Sequence, residues 1–126
     1  MAELTLQRPD TRYFIRGAGP DGVVVVDRAI PGSLIVSAER LEEGWAPKRV
    51  EDIGETHIEQ ILDFEPEVIL LGTGARQGFL PPALIARCYG EGVGIEVMTT
   101  RAACRTFNVL IAEERRAVAA LLPIAD

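Results

Sequence analysis

Four consecutive apolar residues, Val68-Ile69-Leu70-Leu71, run straight into Gly72-Thr73-Gly74 near the middle of the chain. A continuous apolar, partly β-branched run is what a strand covered on both faces requires, whereas a half-exposed strand alternates. The run predicts a central strand, and a central strand needs structure layered on each side of it. The residues that follow supply such layers. Pro81-Pro82 suits the first turn of a helix, Leu84, Ile85 and Cys88 share one helical face, and Gly90 and Gly92 stop the helix. Gly94 to Met98 reads as the next strand, and Thr99-Thr100 supplies an N-cap for a helix with Ala103, Phe107 and Leu110 as its buried stripe. Strand, helix, strand and helix in succession imply parallel pairing through right-handed crossovers. The tail from Val118 to Pro123 stays open: its alanines favour helix, and a short apolar run ended by proline fits a strand equally well.

Upstream, the pattern is different. Tyr13 to Arg16 and Val23 to Val26 are β-rich runs separated by turn-forming residues from Gly17 to Gly22, a β-hairpin. Pro31-Gly32 turns the chain into another short strand, Ser33 to Val36, so the first third reads as an antiparallel meander. From Glu39 to Glu55 the chain is polar and irregular, carrying Trp45 and Pro47, and reads as an exposed connection. Thr56-His57-Ile58-Glu59 fits a capping box, with Ile58, Ile61 and Leu62 at helical spacing behind it and Glu65-Pro66 as the stop.

Length and composition fit one globular domain over residues 1–126, with 48% apolar and 25% charged residues. The formal charge is -6 and the 13 basic residues are scattered, so a nucleic-acid backbone would meet long-range repulsion. Apolar runs fall far below the ~18 residues of a membrane span, which predicts no membrane insertion. Met1-Ala2-Glu3-Leu4 has an early acid and no basic stretch leading into an apolar one, which predicts a cytoplasmic protein without a targeting peptide. Cys88 and Cys104 are the only cysteines and have no CxxC or histidine spacing beside them, so they read as structural thiols, with no metal site and no cofactor implied.

If the strands ending at Leu71 and Met98 are parallel neighbours, Gly72-Thr73-Gly74 and Thr99-Thr100 leave the same carboxyl-terminal edge, where open α/β sheets bind ligands. Glycines there allow close backbone approach, and a helix start at Thr100 offers free amides to an anion. Arg76 and Gln77 can reach the same crevice. On the other side, the glycines need only make a turn and Thr100 need only cap. Asn108 separates the two: an amide facing the sheet edge favours a polar pocket, and one satisfying backbone favours a structural role. Gly72, Gly74 and Gly78 make GxGxxxG, one residue longer than a dinucleotide fingerprint, and no P-loop is present. His57, the only histidine, belongs at an exposed helix start, and no catalytic set can be selected around it. Adjacent acids such as Glu42-Glu43 and Glu51-Asp52 fit a solvated face. Trp45 fits a lid packed on the core better than an exposed contact. Arg101, Arg105, Arg115 and Arg116 interleave with Glu113 and Glu114, either as a salt-bridged helix surface or as a patch facing a partner.

Leu70 to Gly74 with Gln77, Gly94 to Thr100, Ala102-Ala103-Cys104-Arg105-Thr106-Phe107-Asn108-Val109-Leu110 and Glu113 to Leu121 together resemble the domain-of-unknown-function 498 family, which includes a mitochondrial complex I assembly factor. The resemblance implies an α/β fold of β-plus-α/β/α layers, with an antiparallel N-terminal β meander beside a mixed central sheet whose last strand is antiparallel. It implies a strand, not a helix, near Val118 to Leu122. Eukaryotic members are implicated in assembling the respiratory NADH dehydrogenase, and bacterial members have no established reaction. The function implied is that of an accessory protein that binds a protein partner through the crevice edge or the Glu39 to Glu55 segment. The competing reading is a binder of a small anionic metabolite or nucleotide, or an enzyme acting on one, using Gly72, Thr73, Gly74, Gln77, Thr100 and Asn108. Exposed strand edges also allow a homodimer.

Overall fold

A computed structural model describes residues 12–124. In order they form β1 (Ile15–Gly19), β2 (Gly22–Val25), β3 (Arg28–Ile30), β4 (Ser33–Val36), β5 (Leu41–Trp45), a single 3-10 turn (Val50–Asp52), α1 (Glu55–Leu62), β6 (Val68–Gly72), α2 (Pro82–Gly90), β7 (Gly94–Met98), α3 (Thr100–Ala112) and β8 (Ala117–Leu121). The segment Met1 to Leu4, read above for targeting signals, lies outside the described residues.

β1, β2 and β3 make a three-stranded antiparallel sheet, and the other strands form a five-stranded sheet of order β5-β4-β8-β6-β7. β6 is parallel to both β7 and β8. The chain leaves β6 through α2 toward β7, then returns from β7 through α3 to β8 on the far side of β6. Right-handed crossovers in opposite directions place their helices on opposite faces. The cores agree with that placement. Ile69, Leu71, Ile95, Val118 and Ala120 pack with Ile58 and Ile61 of α1 and with Leu84 and Cys88 of α2. Leu70, Ala117, Ala119 and Leu121 pack with Ala103, Phe107 and Ile111 of α3 and with Val23, Val25 and Ile30 of the meander. Side chains alternate faces along a strand, so β6 and β8 need apolar residues at every position, and this is why both read as continuous runs.

β8 settles the tail as a strand. It runs antiparallel to β4, as the family resemblance implies for the last strand, but parallel to β6, where the resemblance implies an antiparallel neighbour. The second relation follows from the α3 crossover, which delivers the chain to the sheet in the direction of β6 and β7.

Several expectations change. Ser33 to Val36 does not extend the meander: Gly32, at φ 80, turns the chain out of the small sheet, and β4 joins the large one with all four residues buried. The Glu39 to Glu55 segment is not simply an exposed connection, because Leu41–Trp45 pairs antiparallel with β4 as an edge strand. Two of its acids are held by arginines, Glu43 by Arg28 and Glu42 by Arg40, and Trp45 and Ile53 within it are buried. Finally, α1 starts at Glu55 with Gly54 as N-cap. The Thr56–Glu59 capping box does not form; His57 Nδ1 accepts the Gly54 N–H at 2.9 Å instead, so the lone histidine is a helix-start acceptor. α3 also turns slightly from the expected stripe, burying Ala103, Cys104, Phe107 and Ile111 and leaving Leu110 half-buried.

Glu67, just before β6, ties that strand to the start of β8. Its carboxylate accepts from Arg115 Nε at 2.6 Å and from the Arg116 N–H at 3.4 Å. The Arg115 hydrogen bond, then the Arg116 N–H, hold its carboxyl below the ordinary value of 4.5. A depressed acid contributes stability that is complete above the ordinary value and is lost as pH falls through the depressed one. We therefore expect the melting temperature of the wild type to fall more than that of Glu67→Gln between about pH 5 and about pH 3. Parallel melting curves would show that the pair contributes nothing to stability, as many surface ion pairs do not.

Candidate functional site

Because α2 and α3 lie on opposite faces, the loops leaving β6 and β7 diverge at adjacent strand ends. This is the switch point at which open α/β sheets form a ligand crevice. Here the crevice is stapled by the chain itself. Thr100 is fully buried, and its hydroxyl accepts the Gly74 N–H at 2.8 Å while donating to the Leu122 carbonyl at 2.7 Å. The Thr100 N–H donates to the Gly74 carbonyl at 3.0 Å, and the Thr73 N–H to the Met98 carbonyl at 2.8 Å. One hydroxyl thus joins the β6 loop, the start of α3 and the exit of β8.

The glycines fit that contact. A Cβ on Gly72 would lie 2.8 Å from Thr100 Cα and 2.9 Å from its Oγ1, and one on Gly74, whose φ is +99, would lie 3.0 Å from the Pro123 carbonyl oxygen. The loop beyond is held as firmly. Thr73 Oγ1 accepts the Gly78 N–H at 2.9 Å and donates to the Arg76 carbonyl at 2.7 Å. Gln77 Nε2 donates to the Val97 carbonyl at 2.8 Å. Gly78 sits against Val50, where a Cβ would meet Val50 Cγ1 at 2.8 Å, so the 3-10 turn packs directly on this loop. The cap of α3 is Thr99, whose Oγ1 accepts the Ala102 N–H at 3.3 Å.

Of the residues singled out from sequence, Gly72, Thr73, Gly74, Gln77 and Thr100 do come together. Asn108 does not join them. Its Oδ1 accepts the Ile15 N–H at 2.9 Å and its Nδ2 donates to the Ile15 carbonyl at 2.6 Å, so it clamps β1 of the meander onto α3. An anion entering the GTG crevice would have to displace hydrogen bonds that already satisfy its polar groups.

Other candidates resolve as follows. Trp45 is 4% exposed, donates its Nε1–H to Gln60 Oε1 at 2.9 Å and meets the His57 ring edge-on at 6.2 Å between centroids, which makes it a packed lid. Both thiols are free and buried; burial raises Cys88, and pushes Cys104 up to about 12 despite the opposing charges of Arg105 and Arg101. Neither is a ready nucleophile. No group of three His, Cys, Asp or Glu among the described residues could hold a metal. Nor, among them, is any helix long and apolar enough to cross a membrane. Arg115 and Arg116 pair with Glu67 rather than with Glu113 or Glu114. Arg101 and Arg105 have no acidic partner among the described residues; with Arg16 they line a cleft between β1 and α3 that no spacing in the sequence announces.

The fold is that of a Mth938-like domain. A Bordetella pertussis solution structure so described matches with a TM-score of 0.81 at 28% identity, covering 100% of this chain and 93% of that one. A crystal structure of a Bordetella parapertussis protein matches at 0.83 and 35% identity, over 88% and 95%. The chain belongs to the family described as protein of unknown function DUF498/DUF598, which it matches over residues 15–122. A Francisella tularensis relative named 13 kDa major membrane protein is 35% identical over 83 residues, 65% of this chain and 68% of that one. NADH dehydrogenase [ubiquinone] 1 alpha subcomplex assembly factor 3 from Danio rerio is 43% identical over 63 residues, 50% of this chain and 36% of its own length. The Xenopus tropicalis protein of the same name is 29% identical over 121 residues, 94% of this chain. The matches span 36% and 66% of those two assembly factors.

Proposed function

We propose that this chain is an accessory protein that acts by binding a protein partner during biogenesis of the respiratory NADH dehydrogenase. Phe79 is the observation that carries the reading beyond kinship. It is 84% exposed. Single exposed apolar side chains are ordinary on soluble proteins. Phe79 differs in its support, because Gly78 beside it is anchored to Thr73 and packed on Val50, and Gln77 is bonded to Val97. An aromatic ring on a pinned loop loses little freedom when covered, the property that makes aromatics dominant in interfaces. The site lies at the crevice edge, so the polar residues of the crevice act here as scaffold.

Tagged protein gently purified from its source cells should bring down a subunit or intermediate of the respiratory NADH dehydrogenase. Phe79→Ala should lose about tenfold or more of that recovery, the usual cost of removing an aromatic anchor. Its melting temperature should stay unchanged, because the ring makes little of the core. Recovery of no such subunit, or equal recovery by the variant, would sink the proposal.

A further inference from the structure

We propose that the cleft between β1 and α3 is an anion site that takes a phosphate monoester on Arg16, Arg101 and Arg105. The inference does not depend on the partner reading, since none of these residues belongs to the Phe79 loop. The cleft has a volume of about 200 Å³, and no carboxylate lines it. In a chain of net charge -6, three arginines line this one cleft without an acidic partner among the described residues.

The backbone builds this arrangement. The register of β1 against β2 shifts between Ile15 and Gly17, which makes Arg16 the bulged residue. A bulge re-aims the side chain it carries, and Arg16 is exposed at the rim. Arg101 and Arg105 are four residues apart on α3 and so share a face. Arg101 Nη1 donates to the Ala18 carbonyl at 2.6 Å, which fixes the guanidinium across the cleft and leaves its other donors free. Asn108 holds the opposite wall by its two bonds to Ile15.

The ligand class follows from charge and size. Three planar cationic forks suit a dianion with three terminal oxygens better than one carboxylate, and guanidinium pairs with phosphate through two parallel bonds. The volume falls below the roughly 300 Å³ at which pockets enclosing whole drug-sized ligands begin. The cleft therefore holds a compact head group and leaves the rest of the molecule outside. Cys104 also lines it, but with a thiol pushed up to about 12 it takes no covalent part.

Glycerol 3-phosphate titrated at constant ionic strength should bind saturably. Arg105→Glu and Arg101→Glu should each weaken binding about tenfold or more, as the loss of a charged fork does. Arg49→Glu, the same charge change on an exposed residue outside the cleft, should leave it unaltered. Gly17→Val keeps every charge and adds bulk to a residue that lines the cleft: a Cβ at Gly17 meets nothing within 4 Å, so the fold should tolerate it while binding weakens. No saturable binding up to about 10 mM, or equal weakening by Arg49→Glu, would overturn the site. Phosphatidic acid vesicles separate the two sources of such a head group. Sedimentation with them, but not with phosphatidylcholine vesicles, that glycerol 3-phosphate competes away assigns a lipid head group. Binding of glycerol 3-phosphate without sedimentation assigns a soluble ester. Sedimentation that survives Gly17→Val is plain surface attraction and counts against the cleft.

Discussion

Gly72→Val should damage the domain severely, costing about 3 kcal/mol or more, in the upper range for an overpacked core. Its Cβ would lie 2.8 Å from Thr100 Cα, 2.9 Å from Thr100 Oγ1 and 3.0 Å from Leu121 Cδ2. The first of these is backbone at the start of α3 and cannot swing aside. Relief would have to come from moving α3 off the sheet, which opens the contacts of Phe107 and Ala103, or from breaking the Thr100 hydroxyl bonds. For a domain of this size, the loss corresponds to a fall in melting temperature on the order of 10–15 °C. Gly72→Ala carries the same Cβ without the branch and should fall between Val and wild type. Gly17→Ala is the control, since its Cβ enters open space. A melting temperature for Gly72→Val close to that of Gly17→Ala would show that α3 is not seated on β6 as described.

What could be read from sequence follows a physical division between local and non-local causes. β6, α2, β7 and α3 each carry their own periodicity, and the right-handed crossover rule connects them, so the parallel core and the meeting of the GTG turn with Thr100 were both legible. β5 was not. Leu41-Glu42-Glu43-Gly44-Trp45 has no alternation of its own; its strand character comes from pairing with β4, and its acids are tolerated because Arg28 and Arg40 reach them. The start of α1 failed for a smaller reason. Thr56 and Glu59 have capping-box spacing, but Gly54 and His57 provide the same spacing two residues nearer the start, and sequence alone does not rank the two. The side-chain direction of Asn108 was likewise beyond reach. It is set by β1, 93 positions away in the chain, and the same distant contact creates the arginine cleft.

Thr100→Val separates a structural crevice from a binding one. Valine matches threonine in shape, so the substitution adds no clash and opens no cavity, and it remains acceptable in the first turn of a helix. What it removes is one hydroxyl that serves two buried backbone groups, the Gly74 N–H and the Leu122 carbonyl. A buried polar group left unpaired costs about 1–3 kcal/mol, so losing both partners should destabilise the domain by roughly 3 kcal/mol. Thr100→Ser keeps the hydroxyl and deletes only a methyl group, and should cost about 1 kcal/mol. Hydrogen exchange gives a local readout: the Gly74 amide should exchange much faster in the valine variant and almost unchanged in the serine one. The contrast between the two is what matters. If valine is tolerated as well as serine, the hydroxyl is not holding the β6 loop to the exit of β8, and the crevice polar groups are available to a ligand. If valine alone is damaging, their hydrogen-bonding capacity is spent on the fold, which favours the two sites proposed outside the crevice, Phe79 at its rim and the arginine cleft along α3.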